Sequence, residues 1–224
     1  MKNICLITVV LFTMFACGET VKKSQIPTDG YYYEPPDDTV NFVKYFYKEG
    51  KLVSETPFVD HKAEGLYKDY YSNGNPRLTV EYKNAKREGM TVSYYETGEK
   101  HGEIPYVNGK VHGTKYFYKK DGSVTMKSVY ENDKPVPPLE EYDTKGDKIP
   151  QPTIKFKSVG GVLKMELSDK SFSSVKFYAI INGKFLEIHT EKGVGSYAGA
   201  KKGTRIRAYY STPRNAEGAV DAKY

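Results

Sequence analysis

Four histidines, two cysteines and carboxylate pairs such as Glu140-Glu141 are the side chains with which this sequence could do chemistry. His61, His101, His112 and His189 show neither helix-face nor His-x-His spacing, and no cysteine lies beside them, so they do not assemble a zinc ligand set. Glu140 and Glu141 could serve as the acid and base of glycoside hydrolysis. They sit, however, in a proline-rich segment with Pro135, Pro137 and Pro138, which suits an exit from regular structure better than a rigid active site. A nucleophile elbow, a phosphate-binding Gly-Lys loop, an HExxH helix and the oxygen-rich run of a calcium loop are all missing. The expectation is a non-enzymatic protein with no metal and no cofactor.

The two cysteines point to a different chemistry. Lys2 precedes an apolar run from Ile4 to Ala16, which is too short for a spanning helix of about 20 residues and has the form of an export signal. The run ends in Ala16-Cys17-Gly18, a small residue followed by cysteine. That junction resembles the bacterial lipobox, although Met14 and Phe15 stand where Leu and a small residue are usual. The resemblance implies that Cys17 becomes the lipidated N-terminus of the mature chain, exported and anchored to a bacterial membrane on the outer-membrane periplasmic or surface side. Cys5 would be lost with the signal over 1–17, leaving one cysteine and no internal disulfide. Residues 18–37 mix Pro, Gly and polar groups and read as a flexible tether.

What must position any surface beyond the tether is a repeat. Gly50, Gly74, Gly98, Gly122 and Gly146 recur at one interval of 24 residues. Gly65, Gly89 and Gly113 keep the same interval, as do Lys62, Lys86, Lys110 and Lys134. So do the aromatic columns Phe46, Tyr70, Tyr94, Tyr118, Tyr142 and Phe58, Tyr82, Tyr106, Tyr130. A fixed period of this length marks a repeat architecture. Two turn signals per period, with strand-length segments between them, predict one β-hairpin per unit chained into an antiparallel meander over 38–150. The Asn73-Gly74 and Asp121-Gly122 dipeptides are read as its tight turns, and the Lys-bearing segments as the looser connections. Tyr, with 21 copies against 10 of Phe and no Trp, suits half-wet sheet faces.

Period-2 alternation sorts the side chains. Leu66, Tyr70, Leu78, Val80, Tyr82, Met90, Val92, Tyr94, Ile104 and Tyr106 form the more apolar set and are assigned to the core face. The opposite face then carries Thr79, Glu81, Lys83, Glu103 and Lys127 together with Tyr45, Tyr47, Tyr67, Tyr71, Tyr95 and Phe117. Those six aromatics are the candidate binding surface, because Tyr is favoured at interfaces.

The stretches YYSNGNPRLTVEYKNAKREG and YYETGEKHGEIPYVNGKVHG resemble the MORN-repeat variant of bacterial proteins often labelled antitoxin-like. Its pattern is paired aromatics, a polar-Gly turn, a second strand ending in Tyr and a Gly-Lys-x-x-Gly loop. The resemblance spans roughly 40–148 and implies an open β-sheet that binds proteins or membranes. Ala85 departs from it, standing where the loop has Gly.

Prolines 137, 138, 150 and 152 end the repeats. Residues 151–224 hold about seven short strand candidates, which suggests a small β-sandwich and so an all-β chain of meander plus sandwich. GTRIRAYYSTPRNAEGAVDAKY weakly resembles the last hairpin of a fibronectin type III or Ig-like domain. Residues 38–150 are neutral overall, with 18 basic and 18 acidic side chains, whereas 151–224 hold 13 and 6. Lys201, Lys202, Arg205 and Arg207 form a candidate basic patch for an acidic envelope polymer or anionic headgroups. An exported protein meets little nucleic acid, so none is expected as partner. The functional expectation is a lipid-anchored scaffold that binds a protein or an envelope polymer; the alternative is an immunity-type, antitoxin-like protein that binds a secreted or neighbouring toxin. A surface-glycan hydrolase is the remaining class.

Overall fold

The computed structural model describes residues 27–34 and 41–224; the apolar run, Cys17 and most of the tether lie outside them. All regular structure among the described residues is β-strand. Two compact units emerge, one up to Lys110 with Lys120–Gly122, the other Val111–Lys119 with Ser123–Tyr224. The 24-residue period and the compact units therefore end at different places.

In the first unit, strands Gly30–Glu34, Asn41–Lys48, Lys51–Val59, Gly65–Tyr70, Pro76–Lys83, Lys86–Tyr94 and Lys100–Val107 each pair antiparallel with the next. Both connection types follow from residue chemistry, with their tightness the reverse of the sequence reading. The Lys-bearing connections are two-residue turns: Asp60-His61, Asn84-Ala85 and Asn108-Gly109 all have positive φ, the type I′ requirement that matches strand twist. The Asn73-Gly74 connection is longer. Tyr71 N–H donates to the Asn75 carbonyl (2.8 Å) and Gly74 N–H to the Tyr71 carbonyl (2.9 Å), and of the dipeptide only Gly74 is left-handed, at φ 88°.

Consecutive hairpins are stitched at the two-residue turns. Gly50, Ala85 and Gly109 donate N–H to the carbonyls of Thr28, Ala63 and Arg87 at 2.7, 2.9 and 2.8 Å. The preceding residues, Glu49, Asn84 and Asn108, donate N–H to carboxylates of Asp29, Glu64 and Glu88 at 2.9, 2.6 and 2.7 Å. The donors of these three turns are thus satisfied by the segment before each.

The second unit holds the last repeat strands, Gly113–Tyr118, Val124–Glu131 and Lys134–Tyr142, and the C-terminal module. The stitch is conserved there in altered form: Asp133 N–H meets the Val111 carbonyl (2.9 Å), and the Asp133 carboxylate accepts the Val111 N–H (2.8 Å). The module is a β-sandwich of two four-stranded antiparallel sheets. One contains Ile154–Val159, Val162–Leu167 and Val194–Tyr197 with the short Thr190–Glu191; the other runs Lys184–Ile188, Ser173–Ile181, Arg205–Ser211, Glu217–Lys223. Leu163, Met165 and Leu167 alternate inward from the first sheet to meet Phe177, Ala179, Ile206 and Ala208 of the second. A Cβ on Gly195 would come within 2.8 Å of both Met165 and Phe177, so only glycine fits between the sheets there. Leu139, from the last repeat hairpin, joins the same core, which is why that hairpin belongs to the sandwich's unit.

Candidate binding surface

Strand register decides which aromatics share a face. Cross-strand partners run Tyr67–Val80–Thr91–Ile104 in one row and Glu55–Lys68–Thr79–Val92–Glu103 in the adjacent one. Paired residues point the same way, so Tyr67 lies with Val80, which is 1% exposed. Leu66 pairs with Glu81 and is 42% exposed. The sequence assignment is therefore corrected at this strand: Tyr67 is on the buried side and Leu66 with Tyr70 on the other. Tyr67 meets Tyr82 edge-to-face at 6.4 Å, and burial followed by the nearby Asp69 carboxylate raises its hydroxyl above the usual phenol range. The Tyr70 hydroxyl donates to Glu55 (2.9 Å), which also pairs with Lys68 at 2.8 Å; burial and this bond push the Tyr70 hydroxyl upward.

The remaining candidates do not converge on one column. Tyr45 pairs with Glu55 and lies on the Tyr70 side. Tyr47 is half-buried at the Leu52 end of its hairpin. Tyr71 and Tyr95 open the longer turns. The Tyr71 hydroxyl donates to the Tyr94 carbonyl (2.7 Å), and Lys119 two periods on reaches the Thr144 carbonyl (2.9 Å), two residues past the counterpart of Tyr94. This position ties one hairpin to the next. Tyr95 is half-buried, with His101 at 4.8 Å and the Lys120 ammonium 5.6 Å from its ring centre. Phe117 pairs with Met126 and shares its face with Lys115 and Ser128; Met126 packs on the sandwich core, so Phe117 is not on a solvent face.

The basic patch is also divided. Arg207 is held by both carboxylate oxygens of Asp221 (2.6 and 2.8 Å), and this bond raises its guanidinium further above its ordinary value. Its side chain is 13% exposed and its charge is compensated. Arg205 lies 3.8 Å from the same carboxylate but is 62% exposed, and Lys201 and Lys202 are exposed in the preceding loop.

The chemistry-bearing residues are dispersed. Glu140 and Glu141, as neighbours on one strand, point to opposite faces. Glu140 is paired with Lys148 (2.8 Å), which holds it below the ordinary carboxylate range, whereas Glu141 is 4% exposed and accepts a bond from the Thr212 hydroxyl (3.2 Å). They cannot flank one glycosidic bond. Among the described residues no group of three or more His, Cys, Asp or Glu side chains is arranged to hold a metal ion. Two arrangements escaped the sequence reading. The Glu64 and Glu88 caps repeat at the same 24-residue interval as the glycines and could have been found as one more column. The Asp69–Arg77 pair has no periodic signal: Arg77 Nε donates to Asp69 at 3.3 Å with a second, shorter bond from its terminal nitrogen, and Asp69 is 6% exposed.

Segments 43–60, 63–84 and 87–108 match the MORN repeat variant family. The match ends at residue 108, within the first compact unit, so the hairpins from Gly113 to Tyr142 keep the period but lie beyond it. No curated protein matches the chain.

Proposed function

We propose that this protein is a non-enzymatic, lipid-anchored binding scaffold of the bacterial cell envelope. Cys17 anchors it, residues 18–37 space it from the membrane, and the repeat sheet and C-terminal sandwich present surfaces to a protein or envelope polymer. The observation that carries the reading is the three tandem matches to the MORN repeat variant, since MORN repeats often bind proteins or membranes. The dispersed carboxylates and histidines favour binding over turnover. Affinity capture from the native envelope with the intact chain tests the scaffold: a reproducible partner is expected, and its absence at every salt and detergent condition would reject the reading. Palmitate labelling tests the anchor, with incorporation into wild type and none into Cys17→Ala; equal labelling of the two would overturn it.

A further inference from the structure

We infer that the outer face of the sandwich sheet containing Ser173–Ile181 and Arg205–Ser211 carries a saccharide-binding cleft. The inference rests on the scaffold reading above and names the class of one partner.

The cleft measures about 290 Å³ and is lined by Tyr178, Phe185, Tyr209, Lys176, Lys134 and Glu217 among others. That is the low end of the usual range for ligand sites and leaves room for roughly one or two sugar rings. Its aromatic side is preorganised. Tyr178 is packed edge-to-face by Tyr209 (5.5 Å, 81°) and by Phe185 (6.3 Å, 75°), so each ring fixes its neighbour. Phe185 is further pinned by the Arg207 guanidinium 5.3 Å from its ring centre, while Asp221 fixes that arginine. Phe185 nevertheless remains 44% exposed. Rings held this way lose little freedom when a ligand covers them.

A backbone irregularity adjoins these rings. Pairing between the two strands jumps from Ser173–Ser211 to Lys176–Tyr209, leaving Ser174 and Val175 as a bulge. Ser174, which lines the cleft, is left-handed at φ 52°. Bulges and strained non-glycine residues concentrate where side chains are re-aimed toward ligands.

The polar groups indicate which ligand. Lys134, Lys176, Asp133 and Glu217 all line the opening, two charges of each sign, so the cleft offers donors and acceptors without a net charge. A polyanion gains nothing from that balance, whereas a neutral polyhydroxylated ligand uses both kinds of group and lays its C–H surface on the rings. A peptide is less well served. The two central strands under the cleft, Ser173–Ile181 and Arg205–Ser211, have paired neighbours on both sides, so among the strands that carry its rings only the edge strand Lys184–Ile188 offers main-chain groups for strand addition.

The test is calorimetric titration of the intact, detergent-solubilised chain with cellobiose, maltose and N,N′-diacetylchitobiose, with alginate as the polyanion and a lysine-tyrosine tripeptide as the peptide probe. At least one neutral disaccharide should bind saturably, and at least tenfold more weakly to Phe185→Ala and Tyr209→Ser. Thermal unfolding reports the integrity of each variant, and Phe185→Ala, at an exposed position, decides alone should Tyr209→Ser unfold. No disaccharide binding, or equal binding to folded variants, would overturn the inference, as would binding of alginate or the tripeptide alone. Envelope capture without disaccharide binding rejects the cleft and leaves the scaffold standing; loss of both rejects both.

Discussion

The meander of the first unit and the sandwich of the second are stabilised by different means from similar side chains. In the first unit Val80 alone among the described hydrophobic residues is buried; its neighbours are covered on one side and wet on the other. In the sandwich Phe177, Ala179, Ile206 and Ala208 are wholly enclosed. A single layer of strands relies on cross-strand pairs and satisfied turn donors, each worth about 0.2–1.5 kcal/mol. Two layers add apolar burial at about 25 cal/mol per Å². The sandwich concentrates its stability in a few side chains, and the meander spreads it over many.

The largest test of that contrast is Phe177→Ala. It should cost about 3–5 kcal/mol, read as lost amide protection throughout the sandwich by hydrogen exchange. Comparable loss in the meander but not the sandwich would break the comparison. Asp69→Ala, which strands Arg77 and removes the meander's best-buried carboxylate, should cost about 1.5–3 kcal/mol by urea unfolding, with exchange rising mainly at strands Gly65–Tyr70 and Pro76–Lys83. A smaller, pH-gated effect comes from Tyr210. Its buried hydroxyl, donating to Gln151 at 3.0 Å with Glu141 nearby, is pushed up to about 12. The folded chain then keeps a proton that the unfolded chain releases near pH 10, so the stability present below pH 10 is lost as pH rises toward 12. Tyr210→Phe should flatten this fall in alkaline melting curves. The smallest effect is a gain. Ala85 occupies a left-handed turn position at φ 60°, and Ala85→Gly should add about 0.5–1 kcal/mol to the meander's urea stability.

The all-β class and the hairpin unit were legible because glycines and aromatics recur at one period, and a period is independent of which way a side chain points. Facing was not legible in the same way. In Gly65–Tyr70 the apolar Leu66 would be placed inward, yet register is set by the turn and by the irregularity between Asp69 and Tyr70, which put Tyr67 beside Val80. Where both faces are half-buried, hydrophobicity cannot choose between two registers one residue apart. The six-aromatic surface inherited that ambiguity: Tyr67 and Phe117 turned inward, and Tyr71 is spent on joining hairpins. Arg207 was legible as a charge but not as a compensated one, because Asp221 lies across the sheet on the next strand. The aromatic cleft was invisible for a related reason. Tyr178, Phe185 and Tyr209 have no motif spacing and meet only through the pairing of three strands.

The backward stitch at the two-residue turns has a further consequence for how such a chain can vary. Each donor finds its acceptor at a constant separation, with Asn84 and Asn108 both reaching 20 residues back to a glutamate. Excising 24 residues within the meander, such as 64–87, removes one donor set together with one acceptor set. Asn108 is then left 20 residues beyond Glu88 as before, and the segment preceding the excision meets a strand of the same phase. The sheet is indexed, and insertion or loss of whole periods changes its length in steps of roughly 10 Å without orphaning an amide.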